Sequence, residues 1–124
     1  MLPKIIHYCW FGRNEKPKLA QKCIESWKKQ CPDYKIIEWN EDNFDIDQHP
    51  YLRWCYNHKK WAFLSDFARL LILEEHGGIY LDTDVEIIKS FDPLLKLETN
   101  IIYSCGCDLC CSLLCFLFLA KKEL

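Results

Sequence analysis

The stretch Gly77-Gly78-Ile79-Tyr80-Leu81-Asp82-Thr83-Asp84 places a glycine pair before a short apolar run and two aspartates after it. The glycines supply the left-handed stop that ends a helix, and Ile79 to Leu81 reads as a short buried strand. Asp82 and Asp84 then fall at the carboxyl end of that strand, where open α/β sheets bind their ligands. Residues two apart in extended chain point the same way, so one site can use both carboxylates. Two neighbouring carboxylates repel unless one takes up a proton or a cation lies between them. Hard, oxygen-seeking Mn²⁺ or Mg²⁺ suits such a pair. A solvated acidic turn is the plainer account of an isolated Asp-x-Asp, and these residues alone leave both readings open.

Upstream, Trp61 to His76 reads as the clearest helix in the chain. Apolar residues cover nearly its whole circumference, which predicts a helix buried on all sides. Asp66 and Arg69 interrupt it three residues apart, on one face. Charged groups are rarely buried without a partner. They can pair with each other, or Arg69 can grip a diphosphate bidentately while Asp66 accepts from sugar hydroxyls. In either case the helix runs directly into the glycine turn, so both pairs can face one cleft.

Around this centre, Lys4 to Cys9 predicts a first, mostly buried strand, with Gly12 and Pro17 marking the loop after it. Lys18 to Gln30 predicts an amphipathic helix on the spacing of Leu19, Cys23, Ile24 and Trp27. Pro32-Asp33 is a turn, and Tyr34 through Trp39 a second strand. Asn40 to Pro50 is polar and Asp-rich, a loop with at most one short helical turn. Val85 to Ile88 is expected to resume extended structure, Asp92-Pro93 to turn, and Ile101 to Tyr103 to form a last strand. Strands alternating with helices indicate an α/β layered fold. From Cys105 onward the composition shifts to Cys, Leu and Phe with little helical or strand periodicity. The expected division is therefore residues 1–104 as the folded portion and 105–124 as an atypical tail.

Composition narrows the function classes. The 124 residues are 50% hydrophobic and include five Trp, six Tyr and seven Phe, enough for one folded domain with a modest core. A net charge of −2, with no basic run longer than a Lys-Lys pair, gives no electrostatic reason to expect nucleic acid. The first residues lack the apolar stretch of a signal peptide. The apolar run that ends at Ala120 reaches back to Leu109, about 12 residues against the ~20 that span a bilayer. The chain is accordingly read as cytoplasmic, with peripheral association at the inner face of a membrane left open. In that compartment nine cysteines mean thiols or metal ligands rather than disulfides.

Ala62-x-x-Ser65-Asp66-x-x-Arg69 followed by Gly77-Gly78-Ile79-Tyr80-Leu81-Asp82-Thr83-Asp84 resembles the signature of the DXD sugar-binding glycosyltransferases. That family includes capsular-polysaccharide transferases, the yeast-type initiating α-mannosyltransferases and the catalytic domains of glucosylating clostridial toxins. The opening Pro3-Lys4-Ile5-Ile6-His7-Tyr8-Cys9-Trp10-Phe11-Gly12 is similar to the family's first strand and loop. The resemblance covers roughly residues 2 to 95, with two motifs in register. It implies a GT-A fold (a Rossmann-like nucleotide-sugar-binding α/β sandwich), of which this chain would hold the amino-terminal half. It implies transfer of a sugar from a nucleotide-diphosphate donor to a saccharide or other hydroxyl acceptor, with retention and a divalent ion, in surface or capsular polysaccharide synthesis.

Carried over residue by residue, Trp10 would stack on the nucleotide base, and Asp66 and Arg69 would hold the donor sugar and its phosphates. Tyr80 and Asp82 would contact the ribose and phosphate side, and Asp84, beside Asp82, would bind the metal. Catalysis would then rest on Asp82, Asp84 and Arg69, with no enzyme nucleophile.

The residues themselves also allow plainer roles. Trp10 can be a core aromatic, His7 a satisfied core histidine, and Trp54 and Trp61 either packing residues or walls of the acceptor side. Family members continue well past the DXD segment, so a remnant that at most binds donor, or needs a partner chain, is the alternative function. A third class, a phosphohydrolase using Asp-x-Asp as nucleophile and acid, loses ground: the haloacid-dehalogenase pattern asks for Thr or Val where this chain has Glu86. Cys105, Cys107 and Cys110 would allow a thiolate zinc site, but their spacing is too compressed for paired zinc knuckles.

Overall fold

The computed structural model of the protein describes residues 3–92 together with strands at 101–105 and 116–120. Strand β1 (Ile5–Cys9) leads through helix α1 (Lys18–Gln30) to strand β2 (Lys35–Trp39). A 3₁₀ turn (Ile46–Gln48) and helix α2 (Pro50–Asn57) precede helix α3 (Trp61–His76), which feeds strand β3 (Gly78–Leu81). Strands β4 (Ile101–Cys105) and β5 (Phe116–Ala120) complete a five-stranded sheet of order β2-β1-β3-β5-β4. The first three are parallel, with Ile6 paired to Ile36 and Ile79, while β5 runs antiparallel to both β3 and β4.

The period-2 alternation of the central strands builds two cores. Ile6, Tyr8, Ile79 and Leu81 point to one face, where Ile24 and Trp27 of α1 cover them. Cys9 and Tyr80 point to the other, against Leu64, Ala68 and Ile72 of α3 and Leu52 and Cys55 of α2. All four residues of β3 are buried, because the strand has neighbours on both edges and helices on both faces. Cys9, Cys23, Cys31 and Cys55 are free, buried thiols, in keeping with the reading of the cysteines.

The helices at 18–30 and 61–76 and the first three strands lie where the sequence puts them. Gly77 (φ 68°) and Gly78 (φ 98°) hold the left-handed turn after α3, and the Gly77 N–H closes the helix on the Leu73 carbonyl at 2.8 Å. Three expectations require correction, and one helix lies where the sequence reading placed no element. Helix α3 is not buried all round: Phe63 and Leu70 stand more than half exposed on one side. Val85 to Ile88 forms no strand and is pinned across α1, with Trp27 Nε1 donating to the Val85 carbonyl (2.7 Å) and Ile87 N–H to Ser26 Oγ (3.0 Å). Helix α2 went unrecognised, although Pro50 stands at its first position and His49 Nδ1 accepts from the Tyr51 N–H. Phe116–Ala120, read as part of a tail without periodicity, is a strand of the sheet. Cys107 and Cys110, the remaining thiols of the zinc reading, lie outside the described residues. Among those residues no helix is long and apolar enough to cross a membrane.

Candidate active site

The carboxyl ends of β1 and β3 and the first half of α3 enclose a cleft of about 450 Å³. Trp10, Asp66, Arg69, Tyr80, Asp82 and Asp84, the six residues singled out from the sequence, all line it. The two aspartates reach the cleft by a different backbone route from the one expected. Val85 N–H closes on the Asp82 carbonyl at 3.1 Å, so Asp82-Thr83-Asp84 is a tight turn rather than extended chain.

Charge is concentrated at the cleft floor. Arg69 is only 5% exposed; it forms an ion pair with Asp66 one helical turn earlier, and its guanidinium lies over the Tyr80 ring at 5.2 Å. The plainer account of Asp66 and Arg69 therefore holds, and it holds inside the cleft. Burial raises the Asp82 carboxyl above its ordinary pKa, with Arg69 lowering it and Asp84 adding to the rise. Burial likewise pushes the Cys9 thiol up to about 12 and the Tyr80 phenol well above its usual range, so both stay protonated beside the aspartates.

The donor set suits a hard cation. Asp84 Oδ1 is buried with no hydrogen-bond partner among the described residues, and its neighbour Asp82 carries a carboxylate that burial disfavours. An unpaired buried carboxylate oxygen is costly unless something compensates it. Among the described residues no group of three or more His, Cys, Asp or Glu gathers as a metal cage. A divalent ion held here would complete its shell with substrate oxygens and water, as Mg²⁺ commonly does.

A layer of support under the cleft left no signal in the sequence. The loop after β1 is anchored by Trp10 N–H to the Trp39 carbonyl (2.8 Å), and Trp10 Nε1 donates to the Asn14 carbonyl (2.7 Å). Glu41, from the loop read as plain polar connection, accepts from Gly12 N–H (3.3 and 3.2 Å) and from the Tyr56 hydroxyl (3.3 Å). Gly12 (φ 96°) sits so close to Trp61 that a Cβ would lie 2.9 Å from the indole. Trp61 thereby walls the cleft and props its loop; the sequence had left it between packing and acceptor roles. Trp54 lies outside the cleft lining. His7 is the satisfied core histidine expected, with Nε2 on the Gly77 carbonyl (2.8 Å) and Nδ1 accepting from Trp39 Nε1 (3.0 Å).

Three parallel strands flanked by helices, with a charged cleft at their carboxyl ends, are the GT-A-like arrangement, and the fold is similar to that of the PaToxG glycosyltransferase. The two superpose with a TM-score of 0.71 at 22% identity, over 98% of this chain and 55% of that one. The model of the glycosyltransferase sugar-binding region containing the DXD motif matches residues 17–100, and the chain belongs to that family. It is also 34% identical over 98 residues to inositol phosphoceramide mannosyltransferase 3 of Schizosaccharomyces pombe, covering 76% of this chain and 27% of that protein. With inositol phosphoceramide mannosyltransferase 1 of the same yeast it shares 30% over 114 residues, 83% of this chain and 34% of that one. The chain thus spans about a third or less of these two relatives.

Proposed function

We propose that the cleft binds a nucleotide-diphosphate sugar and that the protein transfers the sugar to an acceptor hydroxyl with retention of configuration. One observation carries this reading: two aspartates, one with an unpartnered buried oxygen, share a cleft floor with a buried arginine. Asp84 and Asp82 would hold Mn²⁺ or Mg²⁺, which supplies Lewis-acid stabilisation of a departing diphosphate. Arg69 would take the diphosphate oxygens with its guanidinium lying over the Tyr80 ring. Asp66, more than half exposed at the rim, accepts from sugar hydroxyls. Trp10 offers its ring to the nucleotide base, and Asp82 and Tyr80 line the ribose and phosphate side. Retention without a protein nucleophile asks the acceptor hydroxyl to attack on the face from which the diphosphate leaves, so the protein's part is positioning and charge stabilisation.

The proposed acceptor is a saccharide or lipid hydroxyl, in cytoplasmic assembly of surface or capsular polysaccharide. The mannosyl transfer named for the two yeast relatives makes a GDP-linked donor one of the first to test beside a UDP-linked one. Donor binding without turnover by this chain alone is the second reading, favoured by its span of only about a third or less of the two yeast relatives.

Calorimetric titration with UDP and GDP, with and without Mn²⁺, tests the donor claim. Binding that requires metal and disappears in Asp84→Ala is expected. A folded protein that binds neither nucleotide would overturn it.

A further inference from the structure

We propose that the outer face of the α2–α3 layer docks on an anionic lipid bilayer. Phe63, Phe67 and Leu70 recur at i, i+4 and i+7 and so form one stripe along α3. Phe63 is 54% exposed and Leu70 56%, while Leu64, Ala68 and Ile72 on the opposite side are buried in the core. Helix α2 widens the stripe into a patch. Tyr51 meets the Phe67 ring at 5.6 Å and stacks on Trp54 at an interplanar angle of 9°, and both Tyr51 and Trp54 are at least 40% exposed. A helical layer that has already filled its core gains nothing in water from a contiguous aromatic surface.

The chemistry at the end of the patch selects its occupant. Trp54 stacks on His58 at 4.3 Å, and His58, Lys59 and Lys60 follow one another, all exposed. Indole and phenol rings favour the headgroup level of a bilayer, where one side of the ring is apolar and the other wet. Lysines beside such rings add attraction to anionic headgroups. The acidic neighbours do not cancel this: Asp66 is engaged by Arg69, and Glu74 stands at the far end of the stripe, away from the lysines. At 100° per residue the cleft-lining side of α3 (Ala62, Ser65, Asp66, Arg69) lies roughly a third of a turn from this stripe. A bilayer seated on the patch would therefore border the mouth of the cleft. Docking itself does not depend on the donor reading, because none of the patch residues lines the cleft.

The test is co-sedimentation of the full chain with vesicles of phosphatidylcholine alone or mixed with phosphatidylserine. Binding should favour the anionic vesicles and weaken with salt. Phe63→Ser with Leu70→Ser should weaken it by about tenfold or more, and Lys59→Gln with Lys60→Gln should abolish the anionic preference; nucleotide titration should be unchanged in both. Should the apolar double variant fail to fold, quenching of tryptophan fluorescence by brominated lipid, lost in Trp54→Phe, reads the same contact. Absence of wild-type binding to anionic vesicles overturns the proposal. So does a dimer in sedimentation velocity that the apolar variant dissociates while vesicle binding is unaffected.

Discussion

The imidazole of His7 bridges the end of β2 and the turn after α3, which the sequence keeps far apart: Nε2–H donates to the Gly77 carbonyl at 2.8 Å, and Nδ1 accepts from Trp39 Nε1 at 3.0 Å. This arrangement requires the neutral ring. Through it, β1 fixes the turn that launches β3 toward the aspartates.

The pH dependence of folding follows. Burial lowers the His7 pKa from 6.5 to about 4, against a raising contribution from the Gly77 carbonyl and a further lowering by His76. The unfolded chain therefore binds the proton first, so the His7 contribution is intact above pH 6.5 and is lost as the pH falls toward 4. The loss amounts to about 3 kcal/mol at most. Urea unfolding at pH 7 and pH 4.5 should show it, with a flatter slope in His7→Gln. An equal slope in the two proteins would remove His7 from this role.

Gly78 is closed to other residues. A Cβ there would sit 2.7 Å from the Ile5 carbonyl oxygen, on a backbone already at φ 98°. Gly78→Ala must push β1 away from β3 or strain the turn, at a cost of about 2–4 kcal/mol. Thermal unfolding should fall accordingly, and a melting point like that of the wild type would contradict the geometry.

Glu41 acts on the cleft through the loop it holds. Glu41→Gln keeps an acceptor for Gly12 N–H and Tyr56 and gives up only the charge facing the half-exposed Arg13 (3.3 Å), so it should change little. Glu41→Ala should cost about 1–2 kcal/mol of stability and weaken nucleotide binding about tenfold. Denaturation and calorimetry on the two variants separate a positioning role from a merely structural one, since the latter would leave affinity unmoved.

Asp82 is held at a disadvantage by burial and by Asp84. The proposed function would maintain such a site against stability. In metal-free buffer Asp82→Asn should melt higher than the wild type by about 2–4 °C while losing Mn²⁺-dependent nucleotide binding. A lower melting point would mean that the aspartate is structurally satisfied without a cation.

Local stereochemistry wrote much of this protein into its sequence. Apolar spacing marked helices α1 and α3, the glycine pair fixed where α3 ends, and short apolar runs located β1, β2 and β3. These signals survive because period and left-handed turns depend on neighbours only a few residues away. The same rules brought Asp66, Arg69, Asp82 and Asp84 into view, since a helix entering a strand through two glycines has little freedom in where its ends point; Trp10 and Tyr80 joined them only through the resemblance to the DXD glycosyltransferases.

Tertiary structure decided the rest. The turn at Asp82–Val85, the pinning of Val85 and Ile87 by α1, and the hold of Glu41 on Gly12 all depend on partners 29 or more residues away or on backbone bonds that no side-chain pattern announces. Apolar residues around all of α3 predicted complete burial, but only packing determined which side α2 and the sheet would cover and which would be left to solvent. Strand β5 entered between β3 and β4 for a like reason: an edge accepts whichever chain reaches it, and backbone hydrogen bonding is common to every residue but proline.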